Sequence, residues 1–198
     1  KLVADIQEKQ KSKVVDMPNR SGPVMTQFVR VTNLVKQGFL HLAEVEIYED
    51  GKNVAKSGKV SQSSTGFNGP AKLAIDGNTV GDYAKMSVTH TEKEDNPWLE
   101  IDLGASRKVD QIKIYNRTDG GTANRIKEFQ IVTFNEKRET NWVQRVQKTP
   151  NPDHAAIVPT AFETFPNEQN HAVAQYNLDA DPTELTLAQK KLKDLQNR

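Results

Sequence analysis

Five short segments in which apolar and polar residues alternate limit what this chain can fold into. They are TQFVRVTN (26–33), FLHLAEVEIYED (39–50), NPWLEIDLG (96–104), KVDQIKIYN (108–116) and EFQIVTFNE (128–136). A period of two places alternate side chains on opposite faces of a strand, and the Gly, Asn and Asp residues between the segments mark turns. Few helical patterns interrupt them. The sequence therefore predicts a mainly β, antiparallel sandwich or barrel with its functional residues in the end loops.

The alternation also predicts which strand faces form the core. Trp98 opens the third segment and is expected to join that core, since large aromatic side chains are mostly buried. Glu44 and Glu46 alternate with the apolar face of the second segment and are expected to face solvent, unless a carboxylate there completes a metal site at the strand end. The predicted inward rows are Val29 and Val31; Ala43, Val45 and Ile47; Leu99, Ile101 and Leu103; Ile112 and Ile114; and Phe129 and Ile131.

The two ends of the chain have a different pattern. Residues 1–24 read as a weak amphipathic helix followed by the breaker PNRSGP, and residues 181–198 as a short amphipathic helix. Asp181 suits an N-cap, Pro182 the first helical position, and Leu185, Ala188, Leu192 and Leu195 form one stripe. This stripe packs on the domain or pairs with a segment outside it. The β domain is predicted over residues 25–180, and the organisation of residues 148–180 is left open.

Composition excludes several classes of function. Lys and Arg (27) nearly balance Asp and Glu (26), so no global field favours nucleic acid or an anionic membrane. No apolar run approaches the length of a membrane span, which predicts no membrane insertion, and no signal peptide is visible. The absence of cysteine excludes disulfides, thiolate metal sites and a cysteine nucleophile.

Three predicted loops carry residues suited to binding. AIDGNTVGDY (74–83) presents the oxygens of Asp76, Asn78 and Asp82 in a tight turn, which is either an ordinary turn or a site for a hard cation. SVTHT (87–91) holds His90, either a structural residue or a ligand. NRTDGGTANR (116–125) holds two arginines around a Gly-rich bend, either a solvated hairpin or a binding loop. From these patterns alone the alternatives stay open.

Taken together, these segments resemble the F-type lectin (fucolectin) family of discoidin-like jelly-roll sandwiches. The similarity rests on the order and spacing of LHLAEVEIYEDGKNVA, VSQSSTGFNGPAKLAIDGNTVGDY, SVTHT, NPWLEIDLG and IKIYNRTD, and covers roughly residues 28–134. It implies a calcium-stabilised, non-catalytic module that binds fucose or a related sugar. The implied sugar-binding residues are His90, Arg117 and Arg125, with Asp119 orienting the arginines and Tyr83 offering an aromatic surface. The implied calcium ligands are Glu44, Leu73, Asp76, Asn78, Ser87 and Val88.

The chain departs from the family pattern in the arginine loop and in the order of its strands. Five residues rather than the usual four separate Asp119 from Arg125, which predicts a displaced second arginine, and Gly120 and Gly121 stand where paired cysteines are frequent. The strand pair that normally ends such a domain comes first here. The resemblance therefore implies a rearranged domain or one embedded in a larger exported bacterial protein, outside the cytoplasm.

Two functions follow from this reading. The favoured one is a lectin module whose partner is a fucose-like glycan, with further domains of a parent protein as other partners. The alternative is a structural or protein-interaction module that has kept the scaffold and lost sugar binding. An enzyme is not expected, because no nucleophile, base and orienting group fall together and no carboxylate pair stands out as that of a glycosidase.

Overall fold

Two antiparallel sheets account for most of the computed structural model, which describes residues 25–158 and Tyr176. The five-stranded sheet has the order β4-β5-β1-β7-β8 and the four-stranded sheet the order β3-β2-β6-β9. The strands are β1 Thr26–Asn33, β2 Leu42–Glu49, β3 Lys52–Asn53, β4 Lys59–Gln62, β5 Trp98–Arg107, β6 Gln111–Asn116, β7 Phe129–Phe134, β8 Thr140–Val146 and β9 Asp153–Ile157. This is the discoidin-like β-sandwich that the sequence predicted.

The core lies between the two sheets and is formed by the inward rows of the pleat. In the five-stranded sheet Val29 pairs with Ile101 and Val31 with both Leu99 and Ile131. In the four-stranded sheet Val45 pairs with Ile114 and Ile47 with Ile112. Paired residues share a face, so the two sheets present matching β-branched surfaces to each other. The predicted inward rows are confirmed: Val29, Val31, Ala43, Val45, Ile47, Leu99, Ile101, Leu103, Ile112, Ile114, Phe129 and Ile131 are all buried.

The outer face of the five-stranded sheet corrects the prediction for Trp98. Its ring is only half-buried and lies under the Arg30 guanidinium, whose carbon is 4.7 Å from the ring centroid. Arg30 also pairs with Glu100 at 2.8 Å. Trp98 begins β5 in the row that alternates with the Leu99 row, so the pleat directs it away from the core, and the cation–π contact covers it.

Several elements were not found from the sequence. β4 and β8 lie at the edges of the five-stranded sheet, and their sequences, KVSQ and TNWVQRV, take strand form through pairing with β5 and β7. In the region 148–180, whose organisation the sequence left open, His154 lies in β9 opposite Ile114, with its ring 5.6 Å from that of Phe129. The predicted terminal helices lie outside the described residues.

Glu44 is the other correction in the core. Its row was expected to face solvent, yet its side chain is fully buried. The 3-10 turn Ala71–Ile75 lies over this part of β2, with Ala74 and Ile75 buried, and the following Gly77 N–H donates to Glu44 Oε1 at 3.0 Å. A loop segment rather than a strand covers this face. The alternation along β2 cannot predict burial by a loop, because the loop residues lie elsewhere in the sequence.

Residues 23–160 form one compact unit. In the described part of the chain no helix has the length and apolar character that a bilayer crossing requires.

β5 lies between β4 and β1, so its inward side chains are packed on both sides and are sensitive to truncation. We expect Ile101→Ala to lower the free energy of unfolding by about 2–5 kcal/mol, because it leaves a cavity between Val29 and Val60. Lys59→Ala, on the exposed edge strand β4, should change it by about 0.5 kcal/mol or less. Urea denaturation of both variants measures this. Equal losses for the two substitutions would contradict the assignment of this core.

Candidate functional site

Six strand ends meet at one end of the sandwich, namely the ends of β1, β4 and β6 and the starts of β2, β5 and β7. Asn33 at the end of β1 pairs with Phe129 at the start of β7, and Leu42 at the start of β2 pairs with Asn116 at the end of β6. β5 begins beside β1 at this same end. Three segments therefore emerge together, namely loops 34–41, 63–97 and 117–128, and they bring together the residues that the sequence analysis selected from separate parts of the chain.

The threonines on both sides of His90 fix that residue to the sandwich. Thr89 exchanges main-chain and side-chain hydrogen bonds with Leu42: its N–H donates to the Leu42 carbonyl at 2.8 Å, and its hydroxyl accepts from the Leu42 N–H at 3.0 Å. Thr91 does the same with Leu40 at 3.0 and 2.9 Å. All four residues are buried. The T-H-T segment thus runs along the entry to β2 and is fastened at both residues that flank the imidazole.

A second loop segment closes over the other side of His90. The His90 N–H donates to the Gly69 carbonyl at 2.8 Å, and the Gly66 N–H donates to the His90 carbonyl at 2.9 Å. A Cβ on Gly69 would come within 2.4 Å of the His90 nitrogen, so only glycine permits this approach. His90 is 2% exposed, and its position is set by main-chain contacts on both sides.

The hydrogen bond at Nδ1 determines the chemistry of the His90 ring. Nδ1 lies 2.7 Å from the Thr91 carbonyl, which can only accept, so Nδ1 carries the proton. Burial lowers the pKa of His90, and the charges of Arg117 and Arg125 act in the same direction. The ring is therefore neutral at pH 7, and Nε2 offers a lone pair as a hydrogen-bond acceptor.

Arg117 and Asp119 form the most ordered ion pair of the site. Arg117 Nε donates to Asp119 Oδ1 at 2.7 Å and Nη2 donates to Oδ2 at 2.9 Å. The Tyr83 N–H also donates to Oδ1, at 3.0 Å. These bonds, led by those from Arg117, lower the pKa of Asp119 to about 2. The carboxylate holds the guanidinium in one orientation and leaves the Nη1 donors of Arg117 without a partner among the described residues.

The Tyr83 ring lies against the face of the Arg117 guanidinium. The guanidinium carbon lies 4.7 Å from the Tyr83 ring centroid, and the Tyr83 hydroxyl donates to the Phe67 carbonyl at 2.7 Å. Its ring also lies 6.2 Å from that of His90. Both ends of Tyr83 are thus in use within the protein, and its place in the structure is that of a platform for Arg117.

Arg125 reaches the same cluster despite the longer loop. Gly120 and Gly121 both have positive φ, 60° and 67°, and kink the 3-10 segment Asp119–Arg125. This turn absorbs the additional residue at a position that favours glycine. The Arg125 guanidinium then lies 5.3 Å from the centroid of the Phe39 ring, which in turn lies 5.1 Å from the His90 ring. The second arginine remains beside His90 rather than pointing away.

Phe39 and Phe67 supply apolar walls around His90. The Phe67 ring is 4.5 Å from that of His90 and 5.8 Å from that of Phe39. Phe67 is 54% exposed, although it is a large apolar side chain. An exposed aromatic beside a fixed acceptor and two guanidinium groups is typical of a surface that binds the C–H face of a polar ligand.

His41 is a residue of this cluster that the sequence analysis missed. Its ring is 5.4 Å from that of His90, it is 1% exposed, and neither ring nitrogen has a hydrogen-bond partner within residues 25–158. Burial, followed by the influence of His90, lowers the pKa of His41 to about 3. Phe39 was also missed. Phe39 and His41 lie just before β2. The alternation of β2 does not extend back to them, because a register irregularity between Leu42 and Glu44 interrupts it.

The residues implied as calcium ligands lie on the side of β2 covered by loop 63–97. Glu44 Oε1 accepts from the Gly77 N–H, whereas Oε2 is buried without a partner. Burial raises the pKa of Glu44 to about 7, and the neighbouring charge of Asp76 adds to this. A carboxylate in this situation gains from a nearby cation. Its side-chain oxygens and neighbouring carbonyls match the all-oxygen preference of calcium.

The other implied ligands differ in exposure and in the hydrogen bonds that their oxygens already make. Asp76 and Asn78 are exposed, and each accepts a main-chain N–H two residues on. The Ser87 hydroxyl donates to the Val80 and Asp82 carbonyls. Leu73 and Val88 could contribute only their carbonyls. Within residues 25–158 no three His, Asp or Glu side chains gather as a metal cluster. The Lys56 ammonium also lies nearby, within 2.5 Å of where a Cβ on Gly77 would stand.

Comparison with known proteins identifies the family. Residues 73–165 match the family described as the NedA-like, galactose-binding domain. Fucolectin-1 of Anguilla japonica is 37% identical over 73 residues, 34% of this chain and 41% of the relative. The pentraxin fusion protein of Xenopus laevis is 39% identical over 69 residues, 34% of this chain but 17% of the relative. The chain thus spans less than half of the length of these two curated relatives.

Two solved structures extend the similarity to the fold. The lectin domain of lectinolysin complexed with Lewis B antigen is 38% identical, with a TM-score of 0.54 over 57% of this chain and 80% of that one. A fucose binding module of Streptococcus pneumoniae is 31% identical, with a TM-score of 0.52 over 57% of this chain and 80% of that one. The chain belongs to the F-type lectin family of discoidin-like domains.

The buried, unpartnered His41 predicts a specific acid sensitivity. Its pKa is about 3 when folded against an ordinary value of 6.5, so between these limits the unfolded chain binds a proton that the folded one does not. Stability contributed by the neutral ring is complete above pH 6.5 and is lost as the pH falls towards 3. We expect His41→Leu to remove this loss. The free energy of unfolding of the variant minus that of the wild type should therefore increase by about 1 kcal/mol for each pH unit below 6.5.

Urea denaturation of both proteins at pH 7.5, 6 and 5 measures this difference. Every other titratable group is present in both proteins, so the difference between their curves reports the removal of His41. Parallel stability curves across these pH values would show that His41 is not the group responsible.

Proposed function

We propose that this domain is a non-catalytic module that binds fucose or a closely related sugar at the His90–Arg117–Arg125 cluster. The observation that carries the proposal is the meeting of one fixed acceptor, His90 Nε2, with the Nη1 donors of Arg117, unpartnered among the described residues, beside the exposed Phe67 ring. The family relationship supports it, because relatives of this chain are named fucolectins and a fucose binding module.

The donors and acceptor of the cluster match a pair of neighbouring sugar hydroxyls. A hydroxyl donates once and accepts twice, so one group can donate to His90 Nε2 while accepting from a guanidinium. Bonds from a charged donor are stronger than neutral ones, which offsets the removal of the hydroxyl from water. The rings of Phe67 and Phe39 can cover a methyl group or C–H face. A neutral deoxy-sugar uses each of these features.

The site holds its ligand without chemistry of its own. Asp119 is committed to Arg117 and Tyr83, and His90 is held by Thr91, so the two titratable groups serve to orient donors and an acceptor. The names of the relatives, lectins and a binding module, support the same reading. An exported location and a place within a larger protein stay predictions.

We expect Arg117→Ala to weaken binding of methyl α-L-fucoside at least tenfold, because it removes charge-assisted donors worth about 1.5–3 kcal/mol each. Arg117→Lys should recover only part of this, since an ammonium lacks the fork that Asp119 orients. Isothermal titration calorimetry on folded protein measures both variants. Arg138→Ala, in the β7–β8 turn at the opposite end of the sandwich, is the matched control and should bind as the wild type does.

If folded wild-type protein binds no fucoside, the domain is instead an interaction module on the same scaffold. If Arg117→Ala binds as tightly as the wild type, the sugar lies elsewhere.

We propose in addition that calcium stabilises loop 63–97 through Glu44, Asp76, Asn78, Ser87 and the carbonyls of Leu73 and Val88. The support is the buried, unpartnered Oε2 of Glu44 and the raised pKa of this carboxyl. Bound there, the ion would supply positive charge to Glu44 and would tie β2 to the segment that leads into His90.

We expect millimolar calcium to raise the melting temperature of the wild type, because a ligand that binds only the folded state stabilises it. Glu44→Gln should abolish the shift, whereas Lys56→Gln, which removes a competing positive charge, should preserve or increase it. Differential scanning calorimetry with calcium and with chelator measures the three proteins. A wild-type melting temperature that chelator leaves unchanged would argue against the ion.

A further inference from the structure

Lys56 places an ammonium group beside the loop that covers Glu44. Its Nζ lies 2.5 Å, and its Cε 3.0 Å, from the position that a Cβ on Gly77 would take. The Gly77 N–H in turn donates to Glu44 Oε1 at 3.0 Å. Gly77 is thus a neighbour of both the ammonium and the buried carboxylate. The sequence analysis gave Lys56 no role.

The main chain of Gly77 leaves open the space that the ammonium occupies. Any side chain at this position would overlap the end of Lys56, and the φ of +88° also favours glycine. The loop therefore presents bare main chain to Lys56 at the point where it also binds Glu44.

The segment that carries Lys56 is fixed, whereas its ammonium group is free to move. Asn53 Oδ1 accepts the N–H of Ile47 in β2 at 3.2 Å and the N–H of Ala55 at 3.0 Å, which ties the 3-10 turn Ala55–Ser57 to the sheet. Lys56 itself is exposed, and within residues 25–158 no hydrogen bond or ion pair holds its ammonium. The group can therefore leave its place without any change in the turn.

The described residues satisfy the charge of Glu44 only in part. Its Oε2 is buried and has no hydrogen-bond partner among them. Burial raises the pKa of Glu44 to about 7, although the Gly77 hydrogen bond and the charge of Lys56 both act to lower it. An exposed ammonium is screened by water, so its effect on the carboxylate is weak. A divalent ion in contact with Oε2 would have a much larger effect.

We propose that Lys56 is a tethered cation that takes the place of calcium beside Glu44 in the calcium-free protein and is displaced when calcium binds. This inference rests on the proposed calcium site. The ammonium and the ion repel each other, so binding of the ion drives the ammonium into water, and the flexible four-carbon stem of lysine permits the move. Lys56 thereby stabilises the calcium-free loop and weakens the affinity of the site for calcium.

The first test measures calcium affinity by isothermal titration calorimetry at low ionic strength. We expect Lys56→Gln to bind calcium about three- to tenfold more tightly than the wild type, because the competing charge is gone. Lys56→Arg, which keeps the charge, should bind more nearly as the wild type does. Lys72→Gln is the matched control: it removes an exposed lysine from the turn Ala71–Ile75 and changes the net charge equally, and its calcium affinity should stay within about twofold of the wild type.

The second test separates displacement from a purely structural role of Lys56. With chelator, Lys56→Gln should melt below the wild type in differential scanning calorimetry, because the calcium-free loop has lost its cation. At saturating calcium this difference should vanish or reverse, because the displaced lysine no longer stabilises the wild type.

The inference is overturned if Lys56→Gln leaves calcium affinity unchanged, or if it lowers the melting temperature equally with chelator and with calcium. Absence of calcium binding in both the wild type and Lys56→Gln would instead overturn the proposed calcium site.

Discussion

The hydroxyls of Thr89 and Thr91 hold the site together. Each accepts an N–H from the main chain that enters β2, while the adjacent N–H groups donate back to the same residues. The segment is not a strand of either sheet, yet it is fastened as firmly as one, because all of these groups are buried and paired. His90 lies between the two threonines, so their hydrogen bonds also fix its position. Every other contact of the cluster is arranged around this fixed ring.

Charge within the cluster favours a neutral ligand over an anion. Asp119 neutralises Arg117 and remains ionised well below neutral pH, since its pKa is about 2. His41 and His90 are kept uncharged by burial and by the nearby arginines. An anionic group placed at His90 would face the Nε2 lone pair and the Asp119 carboxylate, and only Arg125 would offer uncompensated charge. A hydroxyl can donate to that lone pair, which a carboxylate or phosphate cannot do.

The sequence predicted the parts of this molecule that depend on local alternation or on spacing along the chain. The inward rows of β1, β2, β5, β6 and β7 follow from period two, whereas His90, Arg117, Asp119 and Arg125 follow from the resemblance of their segments to the lectin family. The features that the sequence did not predict depend on contacts between residues far apart in the chain. β4 and β8 take their form from neighbouring strands, Glu44 is buried by a loop, and Phe39 and His41 precede an irregularity that interrupts the alternation.

Asn33 connects the two segments that carry Phe39 and Arg125. It is the last residue of β1, so its place is determined by the central strand of the sheet, and its amide fixes the carbonyls of Phe39 and Arg125. The loops that carry Phe39 and Arg125 are thus held at one rigid point in the core. The anchors of His90 lie in loop 63–97 and at the entry to β2. Separate sets of contacts therefore position the two sides of the cluster: Asn33 holds the segments of Phe39 and Arg125, whereas the threonines hold the segment of His90.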